Sequence, residues 1–76
     1  MSEKREILIN LRKQKGLTQN KVAEDIGINR SYYGFLENGK RNPSLKIAMS
    51  IANYFNISLQ EAFPNEVFFA NKCYEK

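Results

Sequence analysis

The sequence contains no histidine and one cysteine, Cys73. Without more of these residues there is no cluster that could bind zinc, and no internal disulfide can form. Histidine is also the commonest general acid or base, and no pair of carboxylates has an obvious cleft. We therefore expect neither an enzyme nor a bound metal or cofactor. A lone thiol is typical of a reducing compartment, which indicates the cytoplasm.

Long apolar segments are missing as well. No stretch approaches the roughly 20 apolar residues of a membrane-spanning helix. Residues 1–6 are not followed by the apolar run of a signal peptide. We therefore expect no membrane partner. Two prolines, four glycines and 42% hydrophobic residues indicate an ordered helical domain.

The positive charge is concentrated in one half of the chain. The 76 residues allow one domain and carry a formal net charge of +4. Nine Lys or Arg and five Asp or Glu lie at or before Asn42, which accounts for the whole surplus, and the three of each that follow cancel. This asymmetry favours a polyanionic partner for the N-terminal half, although a solvated basic surface would have the same composition.

Residues 18–36 contain the start and stop signals of two short helices. Thr18 is placed to cap the first, and Gly27 can end it in the left-handed conformation. Asn29 is placed to cap the second. Two helices joined by about three or four residues with a glycine form a helix-turn-helix. That motif is frequent in DNA-binding proteins, but many other small helical domains contain such a pair.

Similar signals outside this pair predict an all-α chain. Ser2 can cap the first helix, in which Leu8 and Leu11, with Ile7 beside them, form an apolar stripe. Ser44 can cap the fourth helix, and a capping box opens the fifth. The five predicted helices cover residues 3–15, about 19–26, about 30–38, 45 to about 55, and 59 up to a stop at Pro64.

The C-terminal residues 65–76 carry no helix signals. They include the apolar residues Val67, Phe68 and Phe69. We interpret this segment as a short extended arm, separate from a domain of residues 1–64. A domain this small buries only about 60% of its unfolded surface, and dimerisation is one remedy. The arm is therefore a candidate dimerisation segment, although another protein partner would explain these residues equally well.

Two adjacent residues are unfavourable on the outer face of the third predicted helix. Gly34 costs up to about 1 kcal/mol relative to Ala inside a helix, and Phe35 would be exposed. Together they predict that something large lies against this face.

The order and spacing of several motifs resemble the lambda-repressor-like domains, in particular the xenobiotic-response-element (Cro/C1-type) family of bacterial and phage regulators. The resemblance covers residues 11–63 and implies a five-helix fold whose second and third helices form a DNA-binding helix-turn-helix. The matching residues are Leu11-Arg12, Gly16-Leu17-Thr18-Gln19, Ala23, Gly27, Leu36-Glu37-Asn38-Gly39-Lys40-Arg41-Asn42-Pro43-Ser44-Leu45 and Ser58-Leu59-Gln60-Glu61-Ala62-Phe63.

The resemblance implies roles for individual residues. Residues at four positions would read base edges in the major groove: Asn29, Arg30, Ser31 and Phe35. Six others would contact the DNA backbone: Thr18, Gln19, Tyr32, Asn38, Lys40 and Arg41. Arg12 and Glu37 would form a structural ion pair between the first helix and the end of the third.

The chemistry of these side chains agrees with such roles but leaves alternatives open. Arg30 can donate two hydrogen bonds to guanine, or it can bind phosphate only. Asn29 can pair with adenine, or it can serve only as a helix cap. Phe35 stands where the family commonly has a polar or basic residue, and Tyr33 stands where Ile or Val is common. Specificity therefore cannot be copied from relatives.

From these observations we predict a transcriptional regulator that binds a palindromic operator in double-stranded DNA as a homodimer. The alternative is an antitoxin-like module whose main partner is another protein. The sequence does not distinguish a phage repressor, a restriction–modification controller and an antitoxin, nor repression from activation.

Overall fold

The computed structural model describes residues 4–64, and the described chain is all-helical. Within this range there is no β-strand, as the sequence predicted. No helix between Lys4 and Pro64 is long and apolar enough to cross a membrane. The five helices are α1 (Glu6–Gln14), α2 (Gln19–Ile26), α3 (Arg30–Glu37), α4 (Leu45–Phe55) and α5 (Leu59–Ala62).

Side-chain caps begin four of the five helices, at the predicted residues. The Thr18 hydroxyl accepts a hydrogen bond from the Lys21 amide at 3.0 Å, and Ser44 and Ser58 cap α4 and α5 in the same way. Each such cap contributes about 1 kcal/mol to helix stability. Asn56 ends α4 in the left-handed conformation at φ 60°, a position that asparagine sometimes takes in place of glycine.

Helix α1 is shorter than predicted. It begins at Glu6 instead of residue 3 and ends at Gln14 instead of residue 15, and Ser2 lies outside the described residues. Arg5 precedes it in a non-helical conformation, and its amide donates to the carbonyl of Glu37 at 2.7 Å. This tertiary hydrogen bond holds Arg5 against the end of α3. The apolar stripe of α1 is also narrower than expected, because Ile7 is 38% exposed.

The core lies where the five helices meet. Helix α2 packs on α3 and α4, α4 packs on α5, and α1 packs on α3 and α5. Ala23 of α2 is buried, and its small side chain allows α2 and α3 to cross closely. The remaining buried apolar residues are Leu8, Val22, Tyr33, Leu36, Ala48, Ile51, Ala52, Phe55, Ala62 and Phe63.

A surface contact joins α2 to α4. The Tyr54 hydroxyl donates to Asp25 Oδ2 at 2.6 Å, and Lys21 Nζ lies 3.2 Å from Asp25 Oδ1. The carboxylate raises the pKa of Tyr54 to about 12, and the hydrogen bond from Tyr54 lowers the pKa of Asp25. The sequence carried no signal for this pair, since its two residues lie 29 positions apart.

Candidate nucleic-acid interface

Helices α2 and α3 form the predicted helix-turn-helix. Gly27 ends α2 at φ 89°, a left-handed conformation that favours glycine. The side-chain oxygen of Asn29 accepts hydrogen bonds from the amides of Ser31, at 2.7 Å, and Tyr32, at 3.3 Å. This cap fixes the start of α3, so that Arg30 is its first helical residue.

The two faces of α3 have opposite characters. Tyr33, Leu36 and Glu37 are buried against the other helices. Arg30 and Ser31 are exposed, and Phe35 is 40% exposed. Ser31 and Phe35 therefore lie on the side of α3 opposite these buried residues, and Arg30 is exposed at the first position of the helix.

A charged cluster holds the inner face of α3. The Glu37 carboxylate receives two hydrogen bonds from Arg12, Nε to Oε2 at 2.6 Å and Nη2 to Oε1 at 3.1 Å. Gln19 Nε2 donates to Glu37 Oε1 at 2.9 Å, and Arg12 Nη1 donates to the carbonyl of Leu17 at 3.0 Å. The expected ion pair between Arg12 and Glu37 is thus present, and it includes Gln19 from the start of α2.

The partners of Glu37 keep this buried carboxylate charged. Burial alone would raise its pKa, but the hydrogen bonds from Arg12 and Gln19 outweigh that effect, and the pKa lies below its ordinary value. The hydrogen bond to Glu37 raises the pKa of Arg12 in turn. The charge persists because both Glu37 oxygens are hydrogen-bonded.

The Tyr33 hydroxyl lies beside this cluster. It is buried, and it reaches hydrogen-bond geometry with no residue between Lys4 and Pro64. Burial first, and then the adjacent Glu37 carboxylate, raise the pKa of Tyr33 above its ordinary value. The phenol is therefore neutral at physiological pH. The ring of Tyr33 packs among the apolar residues of the core.

Gly34 is explained by a contact within the molecule. A Cβ at this position would lie 3.3 Å from Gln19 Oε1, which is closer than most such contacts. Because Gly34 has no Cβ, the Gln19 side chain can lie against α3 in the position from which it donates to Glu37. This contact gives Gly34 an explanation within the molecule, and the expectation that something large lies against this face stays a prediction.

Arg5 organises the loop between α3 and α4, a role that the sequence analysis missed. Its guanidinium donates to the carbonyls of Leu36, at 2.5 Å, and Arg41, at 3.1 Å, and to Asn42 Oδ1 at 3.0 Å. It also lies over the ring of Phe63, 5.1 Å from the centroid. Its position within the predicted first helix had hidden this role, and no local pattern would have revealed it.

The loop presents two cations near the exposed face of α3. Lys40 and Arg41 are both exposed. The Arg41 guanidinium carbon lies 5.8 Å from the centre of the Phe35 ring. The backbone amide of Lys40 donates a hydrogen bond to the carbonyl of Phe35 at 2.9 Å. The loop is thereby joined to the last turn of α3.

The other residues expected to contact DNA occupy the edges of this surface. Tyr32, Asn38 and Gln19 are half-buried, and Thr18 is exposed. Val67, Phe68 and Phe69 lie outside the described residues, so their predicted place in a dimerisation segment remains a prediction.

Comparison with known proteins agrees with this arrangement. A family model described as helix-turn-helix matches residues 8–61, which include all of α2, α3 and α4. The chain belongs to the Cro/C1-type helix-turn-helix family of transcriptional regulators. Members of this family bind DNA and are not enzymes.

Relatives of this regulator include proteins from several organisms. An uncharacterized HTH-type transcriptional regulator of Archaeoglobus fulgidus is 42% identical over 52 residues, which are 68% of this chain and 74% of the relative. The control protein C.MunI of a Mycoplasma species is 44% identical over 57 residues, 74% of this chain and 77% of that protein. The crystal structure of the restriction–modification controller protein C.AhdI of Aeromonas hydrophila has a TM-score of 0.66 and 41% identity, and the match covers 74% of this chain and 85% of that one.

We expect Glu37→Gln to lower the free energy of unfolding by about 3 kcal/mol, because Arg12 would keep a charge without its partner. Folding lowers the pKa of Glu37, so the stability it contributes is present above the ordinary Glu pKa and is lost as the pH falls below it. The variant should therefore lose less stability than the wild type between roughly pH 5 and pH 3. Urea unfolding at several pH values measures both effects.

The matched control for this experiment is Glu24→Gln, which changes an exposed carboxylate and should shift the unfolding free energy by less than about 0.5 kcal/mol. An acid dependence of Glu37→Gln identical to that of the wild type would contradict the role of the cluster.

We expect Tyr33→Phe to raise the free energy of unfolding by about 1 kcal/mol, because it removes a buried hydroxyl that has no hydrogen-bond partner among the described residues. Tyr54→Phe is the matched control and should lower stability, since the Tyr54 hydroxyl donates to Asp25. Thermal and urea unfolding of both variants provide the comparison. A marked loss of stability in Tyr33→Phe would show that the hydroxyl is satisfied in solution.

Proposed function

We propose that this regulator recognises a specific operator by inserting α3 into the major groove of DNA. The observation that carries the proposal is the exposure of Arg30, at the first position of α3, and of Ser31 and Phe35, which lie opposite the buried face of the helix. In the helix-turn-helix geometry the N-terminal residues of the second helix contact base edges. The Asn29 cap places Arg30 at that end.

Arg30 is the residue best suited to read a base. It forms no hydrogen bond or ion pair with any residue between Lys4 and Pro64, so its guanidinium is available to a ligand. The planar fork of this group matches the O6 and N7 acceptors of guanine. Ser31 can contact a neighbouring base. Asn29 uses its oxygen as the cap, which leaves its amide N–H groups to donate to a base acceptor.

Residues around α3 would hold the DNA backbone. Lys40 and Arg41 add positive charge on the loop, and Thr18, Tyr32 and Asn38 can donate hydrogen bonds from its edges. Gln19 has two amide N–H groups, of which one donates to Glu37. The other is free to donate to a phosphate. Gln19 would then connect the backbone contact directly to the cluster that positions α3.

The proposed active form is a homodimer on a palindromic operator. Residues 1–64 would bind DNA, and residues 65–76, with Val67, Phe68 and Phe69, would contribute to dimerisation. Two copies of α3 would then enter successive major grooves, with half-sites one helical turn apart, about 34–36 Å. Since the proposed target is the genome, we place the regulator in the cytoplasm.

Among the roles that the sequence left open, that of a restriction–modification controller has support from the relatives. Two of them, C.MunI and C.AhdI, carry the words control or controller in their names. This supports a regulatory role on DNA over an antitoxin-like role, in which the main partner would be another protein.

We expect Arg30→Ala to weaken binding to the selected operator by about 1–3 kcal/mol per half-site, because each copy of the chain loses one bidentate contact to guanine. Binding to unrelated duplexes should be nearly unchanged, and sequence preference should relax at one base pair per half-site. The experiment selects an operator from random duplexes and then titrates both proteins against it and its single-base variants at fixed salt. Equal weakening on every duplex would instead make Arg30 a phosphate contact.

The control for Arg30→Ala is Lys40→Ala. It should weaken all duplexes alike and reduce the slope of log K against log salt by about 0.9 for each bound copy of the chain, which is the value for one phosphate contact in duplex DNA. If no duplex is selected over random DNA, sequence-specific recognition is excluded.

We expect the full chain to be a dimer at micromolar concentration and a chain ending at Pro64 to be a monomer, because the truncation removes the apolar residues Val67, Phe68 and Phe69. Sedimentation equilibrium of both proteins distinguishes the two states, and circular dichroism checks that the shorter chain folds. A full chain that stays monomeric at high micromolar concentration would contradict the proposed dimer.

A further inference from the structure

Phe35 is an aromatic residue in the middle of the proposed reading face. It is one of three large apolar side chains with substantial exposure in the described chain, together with Ile7 and Met49. The other two lie on α1 and α4. Phe35 alone lies on α3, beside Ser31, one turn earlier on the same face, since residues four apart are neighbours on a helix.

One part of the Phe35 ring is already occupied. The Arg41 guanidinium lies over it, 5.8 Å from the ring centre, within the range of a cation–π contact. Phe35 remains 40% exposed with this contact in place. The side chain therefore keeps an open part that Arg41 and the other described residues leave accessible.

The backbone around both residues is held in place. The amide of Lys40 donates to the carbonyl of Phe35 at 2.9 Å, and Arg5 Nη1 donates to the carbonyl of Arg41 at 3.1 Å. Arg41 is thus carried by a loop that is bonded both to α3 and to the segment before α1. Hydrogen bonds to the backbone carbonyls of Phe35 and Arg41 therefore help to hold the two stacked side chains in position.

We propose that Phe35 and Arg41 act as one composite reader of a thymine and the phosphate beside it. The open part of the Phe35 ring packs on the C5-methyl group of the thymine, which is the apolar group that bases present in the major groove. The Arg41 guanidinium, stacked on the same ring, donates to the neighbouring phosphate. This inference rests on the proposed function, because it requires α3 in the major groove.

The chemistry of arginine suits this arrangement better than that of lysine. A guanidinium is planar and weakly hydrated, so it can stack on an aromatic ring and still donate hydrogen bonds in its own plane. The phosphate contact then depends on the position of Phe35, and the methyl contact depends on a ring held by Arg41. Arg41 therefore contributes to sequence preference although it touches no base. Lys40, which does not stack on Phe35, contributes only to the overall affinity.

The test compares each thymine of the selected operator with deoxyuridine, which lacks only the methyl group. For the wild-type chain, replacing a single thymine at the responsive position of either half-site should weaken binding about fourfold, which corresponds to one buried methyl group. Phe35→Ala should abolish this difference between thymine and deoxyuridine. Arg41→Lys keeps the charge but loses the planar stacking, so it should reduce the difference.

Lys40→Ala is the matched control on the neighbouring residue. It should weaken binding to both duplexes but leave their ratio unchanged. Circular dichroism and urea unfolding check that each variant folds, which is expected because Phe35, Lys40 and Arg41 are exposed.

A double-mutant cycle measures whether the two residues act together. Arg41→Ala should cost less affinity in the Phe35→Ala background than in the wild type, because the stacking partner is already gone. Equal losses in the two backgrounds would overturn the composite reader. The composite reader would also be overturned if the chain bound its operator specifically and replacement of no thymine by deoxyuridine changed the affinity. Failure to select any operator has a different meaning, since it would overturn the proposed function itself.

Discussion

The position of α3 depends on the buried carboxylate of Glu37. A charge that is 1% exposed is unfavourable unless it is paired and hydrogen-bonded. Arg12 supplies two hydrogen bonds from α1, and Gln19 supplies one from the first residue of α2. Glu37 is the last residue of α3. Three helices therefore meet at one charge, and a rotation of α3 would break several of these bonds together.

This constraint explains features of α3 that look unfavourable in isolation. Gly34 gives up helix propensity so that the Gln19 side chain can lie against the helix. Tyr33 fills the core next to the cluster at the expense of a hydroxyl without a partner in the described chain. With its inner face held in this way, α3 can present polar and aromatic side chains on its outer face.

Arg5 provides a second connection, at the other end of the proposed interface. It joins the segment before α1 to the carbonyl of Leu36 and to Asn42 in the following loop, and it lies over Phe63 after α5. The loop that carries Lys40 and Arg41 is thereby attached to the same scaffold as α3. Base-reading and phosphate-binding residues would consequently approach DNA as one rigid surface, which favours precise recognition.

Much of the fold was readable from the sequence because its signals are local. The caps Thr18, Asn29 and Ser58 bond to amides two or three residues away, and Gly27 ends α2 through its own backbone freedom. Interactions over so few residues leave a pattern in the sequence. The ion pair between Arg12 and Glu37 is different, since its residues lie 25 positions apart, and it was anticipated only through the family resemblance.

By itself, then, the sequence determined the number of helices, the start of all but the first, and the outward position of Arg30, Ser31 and Phe35. Only the tertiary structure decided where α1 begins, which side chain requires Gly34, and where the guanidinium groups of Arg5 and Arg41 lie. The start of α1 depends on a hydrogen bond from the backbone amide of Arg5 to the carbonyl of Glu37, and the acceptors Leu36 and Asn42 of the Arg5 side chain lie 31 and 37 positions away. Contacts between residues so far apart in the sequence depend on how the helices pack. They leave no periodicity or spacing in the sequence from which the partner residue could be predicted.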